Sequence, residues 1–385
     1  MILDTLTLTI CGILVFMVII TPIINIFFRC IRLHKLYDEN DAPLDNNSER
    51  PGLSIVIVAQ NNEIELQQNL PSIFNQEYEP GFEVIIVCSG IEDDTESVIR
   101  NMKKVHPNLY TTFIPDSSRY MSRMKLAVTL GVKAAKNEWI ILLGSDCKPV
   151  SSQWLNTLSN HCSKHTDVVL GYANYDNDAK KYHIFNRIHS MLYSLRVASS
   201  GTAYRSTGGN VAFRKSVFMK HNGFLGNLKY ERGEFDFIVN EYANENNTDI
   251  SIEPEARLSI NSPSNKDWLN QHLYYMETRR HLSRSFMQRL KYNTDMLTMH
   301  LNYLIQIAAL VYFAIESNWI GLGLSVFTLI YTIIIRSVIA ISVTKRFNED
   351  IKFFMIPIFE MRLIWTQLYV KLKYKMADKS GFIRK

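Results

Sequence analysis

Several short stretches of this chain carry residues whose types and spacing could do chemistry. Asp146 directly follows the apolar run WIILL, in the sequence WIILLGSD. An acid at the end of a buried strand can face a ligand. A hard divalent cation is held by one or two carboxylates together with substrate phosphates. The plainer reading is a turn Asp bonded to its own backbone. Glu234 and Asp236, in ERGEFDFIVNEYA, open a helical pattern. The helix dipole stabilises acids there, and a carboxylate so placed could also take a proton from an attacking hydroxyl. Glu277 and Arg280 stand three residues apart on a helix predicted over 266–289, where they share a face and could pair. Arg279, His281, Arg284 and Arg289 make that stretch basic. It reads either as a solvated or headgroup-facing surface, or as the source of an arginine that neutralises a diphosphate leaving group. Gly208-Gly209-Asn210 permits close backbone approach, or is an ordinary loop before a helix beginning near Lys215.

These residues need elements to position them. LSIVIV (53–58), EVIIVC (83–88), LYTTF (109–113), WIILL (139–143) and VVLG (168–171) are short, apolar, β-branched runs expected of buried strands. Helical patterns over 63–75, 93–104 and 122–136 alternate with them. The alternation predicts an open, mostly parallel α/β sheet with helices on both faces. Ligands bind such sheets at the carboxyl ends of the strands, which directs attention to residues 59–63, 89–94 and 144–148. No G-x-G-x-x-G follows the first strand and no G-x-x-x-x-G-K-[ST] is present, which argues against dinucleotide oxidoreductases and P-loop phosphotransferases.

The ends of the chain are different. Residues 5–28 carry no charge, and at about 1.5 Å per residue they can cross ~30 Å of hydrocarbon. A cleaved signal peptide would want a basic start, whereas only Asp4 is charged before that run. Residues 301–315, with a start near Leu297, and 319–343 form a second apolar block, broken by Glu316, Ser317 and Asn318 into a hairpin. Arg29, Arg32 and Lys35 follow the first run, and Lys345 and Arg346 the last. By the positive-inside rule both clusters, and residues 29–296 with them, belong on the cytoplasmic side, as in a bacterial inner-membrane protein. Arg336 is expected to snorkel to the interface. Residues 351–374 are apolar but carry Lys352, Glu360, Arg362, Lys371 and Lys373, which suits a helix lying in the interface better than a fourth span.

Composition agrees with this division. At 47% hydrophobic and 21% charged the chain is globular rather than disordered. A net charge of +5, with the cations beside apolar runs, points to membrane lipids and not to nucleic acid. Cys11, Cys30, Cys88, Cys147 and Cys162 form no C-x-x-C pair and fit a reducing compartment.

In chain order, SIVIVAQNNE, EVIIVCSGIEDDT, LGVKAAKNEWIILLGSDCKP, GGNVAFRK, GEFDF and ETRRH resemble the membrane-bound family 2 glycosyltransferases over about residues 50–290. The resemblance implies a GT-A fold, a nucleotide-sugar-binding domain with N- and C-terminal transmembrane helices. The expected layout is a transmembrane helix (1–28), a linker (29–52), the GT-A domain (53–265), an amphipathic interface helix (266–296), a transmembrane hairpin (297–343), and an interfacial helix with a basic tail (344–385). It implies that Ala59, Gln60, Asn62 and Ser89 contact the nucleotide, and that Ser145 and Asp146 belong to the donor site. Asp146 stands as the second acid of a D-x-D motif and would hold Mg²⁺ or Mn²⁺. Glu234 aligns with the catalytic base. Arg280 and His281 match the arginine and aromatic of Q-x-x-R-W, with Glu277 in place of the glutamine. Gly208, Gly209, Asn210, Asp236 and His281 fall on the acceptor side. The departures are Cys88-Ser89 for an Asp pair, Gly144 for the first acid of D-x-D, Glu234 for Asp and His281 for Trp. Glu92, Asp93 and Asp94 could compensate or simply start a helix.

Two functions follow from the resemblance. One is an inverting transferase that moves a sugar from a nucleotide-sugar to a lipid-linked or polysaccharide acceptor at the membrane. The other is a non-catalytic relative that binds glycan or scaffolds a partner enzyme. A transporter would need more than three spans carrying one internal arginine.

Overall fold

A computed structural model describes residues 4–31, 50–90, 93–114 and 122–383. Arg32, Lys35, most of the expected linker, Glu92, Arg384 and Lys385 lie outside the described residues. The chain divides into two compact units, one of residues 42–283 and 369–385, the other of residues 1–41 and 284–368.

The first unit holds a seven-stranded sheet in the order β3-β2-β1-β4-β8-β6-β9. Its strands are β1 (Leu53–Ala59), β2 (Phe82–Cys88), β3 (Leu109–Phe113), β4 (Trp139–Gly144), β6 (Val168–Gly171), β8 (Val211–Arg214) and β9 (Thr248–Ser251). β3, β2, β1 and β4 run parallel, as the alternating pattern predicts. Every residue of β1 is buried, which is why it reads as an unbroken apolar run. The far half differs from expectation. VAFR, read as loop, is strand β8 and pairs antiparallel with both β4 and β6. A second sheet of three-residue strands, β5 (Cys147–Pro149), β10 (Leu258–Ile260) and β7 (Ala173–Tyr175), continues directly from the Asp146 loop. The helices covering the parallel half are α2 (Glu63–Phe74), α3 (Thr95–Val105) and α4 (Arg123–Ala134). The remaining helices of this unit include α5 (Trp154–Ser159), α6 (Lys181–Ala198), α7 (Lys215–Lys220), α8 (Glu234–Tyr242) and α9 (Asn265–Thr278).

Below the sheet's far edge, His161 bridges two carboxylates. Its Nδ1 lies 2.8 Å from Asp249 and its Nε2 2.8 Å from Glu253. Carboxylates accept, so both ring nitrogens donate and the ring is an imidazolium. Burial alone would push this imidazole down, but the two hydrogen bonds override it and hold its pKa at about 9.

The second unit is helical. α1 (Thr5–Ile24) contains Pro22, breaks at Asn25 and is followed by further helix over 26–31. α10 (Phe286–Ile315) and α11 (Trp319–Arg346) flank a turn in which Ser317 takes a positive φ of 52° and Asn318 caps the Gly321 amide at 3.1 Å. These three helices are long and apolar enough to cross a membrane. α12 (Met355–Met376) begins in this unit. Leu14, Ala309 and Phe313 form a packed apolar centre.

Arg336 corrects the snorkelling expectation. It is 2% exposed and donates Nε and Nη2 to the two oxygens of Glu360, both at 2.9 Å. Its Nη1 reaches the Thr21 carbonyl at 3.2 Å, and Asn25 donates to Glu360 at 3.2 Å. The Glu360 carboxylate is buried too, at 1% exposure, so the charges of 351–374 do not all face a polar surface.

Two measurements follow. Arg336→Ala or Glu360→Ala should each cost about 3–5 kcal/mol, because either leaves one charge buried alone. The paired Arg336→Met/Glu360→Leu variant should recover most of that loss in thermal unfolding in detergent. The His161 contribution should be whole below pH 6.5, the ordinary imidazole value, and should fade as pH rises through about 9. Denaturant stability of the wild type should fall by about 3 kcal/mol across that window, and that of His161→Gln should not.

Candidate active site

The donor side is built at the carboxyl ends of β1, β2 and β4. Ala59 pairs with Cys88, and Val58 with Gly144, so the three strand ends are neighbours. The Ser89 amide donates to the Ala59 carbonyl at 2.9 Å. Asn62 accepts from the Gln60 amide at 2.8 Å, and its own amide donates to Thr95 Oγ1 at 2.9 Å. The Asn62 side chain therefore shapes the β1 loop, while Gln60 is exposed beside it. Asp93 accepts from the amides of Glu63 and Thr95, and Asp94 stands at the N-cap of α3. Both acids serve a helix start rather than replace the missing donor-site acids. Ser89 Oγ is buried and has no hydrogen-bond partner among the described residues. Arg123 sits against Gly90, within 3.1 Å of where a Cβ would stand.

Asp146 hangs from β4 through Ser145, whose carbonyl accepts from Asn69 of α2 at 3.0 Å. Its own carbonyl accepts from the Asn261 amide at 2.9 Å, and its carboxylate from the Cys147 thiol at 3.4 Å. A Cβ at Gly144 would lie 2.4 Å from Asp146 Oδ1, so the surviving carboxylate fills the room beside the residue that replaces its partner.

Next to it lies the glycine loop. A Cβ on Gly209 would meet Ala173 at 3.1 Å and the Cys147 sulfur at 3.7 Å, which brings this loop to the Asp146 strand. Arg187 of α6 ties it down by donating to the carbonyls of Thr207 (3.1 Å), Gly208 (3.0 Å) and Ala173 (3.1 Å). Asn210 closes this loop, with a buried Oδ1 that has no hydrogen-bond partner among the described residues. Its side chain is buried and donates to the Ala256 carbonyl at 2.8 Å, stitching backbone to backbone.

Gly208 leads on to α8, since its Cβ would stand 3.7 Å from Phe235. Glu234 is the first residue of α8, is 8% exposed, and has a buried oxygen, Oε2, with no partner among the described residues. Asp236 is engaged differently. It accepts from the Ser206 amide at 3.1 Å and lies 3.7 Å from Arg205 Nε. Burial pushes its carboxyl up to about 6, against the pull of Arg205 and with a further push from Glu234. Lys125 of α4 is fully buried near them. Its ammonium donates to the carbonyls of Asn227 (2.8 Å) and Tyr230 and lies 4.6 Å above the Phe237 ring. Burial pushes it down to about 8, and Glu234 and Glu231 pull it back up.

The ETRRH stretch closes the set. α9 ends at Thr278, so the helix expected over 266–289 is interrupted, and Ser285 caps α10 with a full capping box. Glu277 and Arg280 do not pair directly. The Tyr374 hydroxyl stands between them, donating to Glu277 and accepting from Arg280 at 3.3 Å. His281 stacks on Tyr230 with centroids 4.0 Å apart and lies 3.0 Å from Glu277 Oε1.

Among the described residues, no group of three or more His, Cys, Asp or Glu side chains converges to hold a metal. Burial and the nearby Asp146 push the Cys147 thiol well up, so it is a neutral donor and not a thiolate ligand. One carboxylate remains, Asp146. That donor set fits Mg²⁺ or Mn²⁺ arriving with a diphosphate, since such ions retain water and take few protein ligands.

A mostly parallel, mixed sheet covered by helices, with an acid just past the end of β4, is the arrangement of a GT-A domain. Residues 54–221 match the model of glycosyl transferase family 2. The mannosyltransferase PcManGT from Pyrobaculum calidifontis, solved in complex with GDP-Man and Mn²⁺, has a TM-score of 0.51 to this chain. At 13% identity, over 94% of this chain and 98% of that one, it shares the fold. Residues 1–349 of TarS from S. aureus give a TM-score of 0.41 at 13% identity, over 82% of this chain and 92% of that one. No curated protein matches in sequence.

Sequence reasoning passed over Lys125, Arg187, Arg123 and Tyr374. The basic RMK at the start of α4 was a usable signal for two of them.

Gly233 tests how tightly Glu234 is held. It has φ 98°, and a Cβ there would lie 2.5 Å from Thr278 Cγ2. Gly233→Ala should cost about 1–3 kcal/mol and impair transfer more than it impairs nucleotide binding, as read by thermal shift and calorimetry.

Proposed function

We propose that this chain is an active, membrane-bound glycosyltransferase that moves a sugar from a nucleotide-sugar donor to a hydroxyl of a lipid-linked or glycan acceptor, with inversion. One observation carries the reading. Glu234 keeps a buried carboxylate oxygen without a partner among the described residues, and Gly208 and Gly209 connect its helix to the Asp146 strand. An orphaned buried acceptor is costly unless a substrate proton completes it.

In this reading the donor nucleotide lies over Ala59, Gln60, Asn62 and Ser89, with its diphosphate near Ser145 and Asp146. Asp146 would hold Mg²⁺ or Mn²⁺, which when bound offsets diphosphate charge. Glu234 takes the proton of the acceptor hydroxyl as its oxygen bonds to the anomeric carbon. The bond from that carbon to the diphosphate breaks on the opposite face. Arg280, exposed and with no direct carboxylate partner among the described residues, offsets charge on the departing nucleoside diphosphate. Gly208, Gly209, Asp236 and His281 form the acceptor side, with Asp236 acting through the 205–206 loop it holds. Arg29, Lys345 and Arg346 favour a cytoplasmic catalytic domain, as in a bacterial inner membrane engaged in polysaccharide synthesis.

Gly144 supports a second reading, a non-catalytic glycan-binding relative, because an acid is missing there. The two separate in one experiment. Protein in nanodiscs is given UDP- and GDP-sugars with Mn²⁺ or Mg²⁺, and release of nucleoside diphosphate is followed. The active reading expects release that falls about 10²–10⁴-fold in Glu234→Gln, with nucleotide binding kept. It also expects weaker nucleotide binding in Asp146→Asn. Binding without release, unaltered by Glu234→Gln, supports the second reading.

A further inference from the structure

The C-terminal segment was expected on the membrane, yet residues 369–385 group with the catalytic unit. Its course there is specific. The Tyr374 hydroxyl donates to Glu277 and accepts from Arg280. Asp378 accepts from the Ser380 amide at 2.9 Å and caps a short 3-10 turn, Lys379–Gly381, which sends the chain back. The Lys379 ammonium lies 3.2 Å from the Tyr374 ring centroid and donates to the Tyr374 carbonyl, closing the loop on itself. Phe382, largely buried, packs against Tyr274 and Tyr374 with centroids 5.4 and 5.6 Å away. The Phe382 carbonyl accepts from the Glu231 amide at 2.9 Å, and Ile383 bridges Tyr230 in antiparallel fashion.

The strand of chain so gripped is the one that delivers Glu234. On its other side Ser122 donates to the Glu231 carbonyl at 2.7 Å and Lys125 to the Tyr230 carbonyl. A polar relay then runs from Tyr230 through His281 and Glu277 to Tyr374 and Arg280. Burial would raise the Glu277 carboxyl, but its bonds from Tyr374 and His281 hold it below the usual carboxylate range. Glu277 is therefore an anion whose two oxygens are both used, and Tyr374 is what connects it to Arg280.

We propose that the C-terminal segment is a strap of the transfer site, and that Tyr374 is a positioning residue acting through Glu277 and Arg280 on the leaving-group side. The role given to Arg280 rests on the function proposed above; the strap itself does not.

Hydrogen–deuterium exchange on the full chain in nanodiscs tests the strap without any ligand. Tyr374→Phe, and separately deletion of residues 377–385, should speed exchange of segments 228–236 and 275–283 about tenfold, the size of one lost hydrogen bond to a charged group. Strands β1 and β4 should keep their protection. Unchanged protection of both segments in Tyr374→Phe overturns the proposal. Calorimetry with UDP and GDP in Mn²⁺ then tests the route through Arg280. Tyr374→Phe should weaken nucleotide binding about tenfold in the wild-type background and less than about twofold in Arg280→Ala. Equal losses in both backgrounds overturn the positioning role. If the segments loosen but the wild type binds neither nucleotide, the donor-site reading falls and the strap stands.

Discussion

The buried carboxylate of Glu234 is the constraint on which the surrounding architecture depends. Removing a carboxylate from water costs several kcal/mol unless something compensates. Here three kinds of compensation converge. The residue starts α8, where free backbone amides and the helix dipole favour negative charge. Lys125, itself buried, stands close enough to feel its field. Gly233, with its left-handed backbone, lets the chain enter the helix hard against Thr278. None of this gives Oε2 a hydrogen bond, so stability alone does not account for the arrangement. Asp236, two residues on, shows the contrast. It is buried as well, but it accepts from Ser206 and faces Arg205, so its charge is spent on holding a loop.

Lys125 couples this point to the rest of the unit. An ammonium has three protons to donate. Two of those of Lys125 go to the carbonyls of Asn227 and Tyr230, in the segment that precedes Glu234. The same side chain thus shapes the approach to the helix and sets its electrostatics. The buried Arg336–Glu360 pair follows a different logic in the helical unit. There both guanidinium edges and both carboxylate oxygens are matched, and Asn25 and the Thr21 carbonyl complete the shell. There every polar group of the pair is matched, whereas Glu234 keeps Oε2 without a partner among the described residues.

What the sequence disclosed follows from the range of the forces involved. Strands β1, β2 and β4 were legible because strands buried on both faces must be apolar nearly throughout, and that is a local signature. The positions of Ser89 and Asp146 just past strand ends were legible from the strand pattern itself. The spanning helices were legible from length and lack of charge. β5, β7 and β10 are three residues each, too short to show a period. α6 is buried around nearly its whole circumference, so it lacks an amphipathic stripe. The roles of Lys125, Arg187 and Tyr374 arise only when distant segments meet, and Tyr374 touches a residue 97 positions away.

The same geometry bears on the missing acid at 144. If that site were merely degraded, the space of the absent side chain would be open. Instead Asp146 Oδ1 occupies it, 2.4 Å from where a Cβ would be, and the Cys147 thiol donates to that oxygen. A second carboxylate would have to displace the first and break the hydrogen bond it accepts from the Cys147 thiol. It would also bring two like charges together beside a neutral, buried thiol. The loop is therefore built around one acid, and its fixed carbonyls, held by Asn69 and Asn261, keep that acid in place. A cation there would draw more of its ligands from diphosphate and water than from protein. Metal affinity and nucleotide affinity in such a site would then be one coupled quantity.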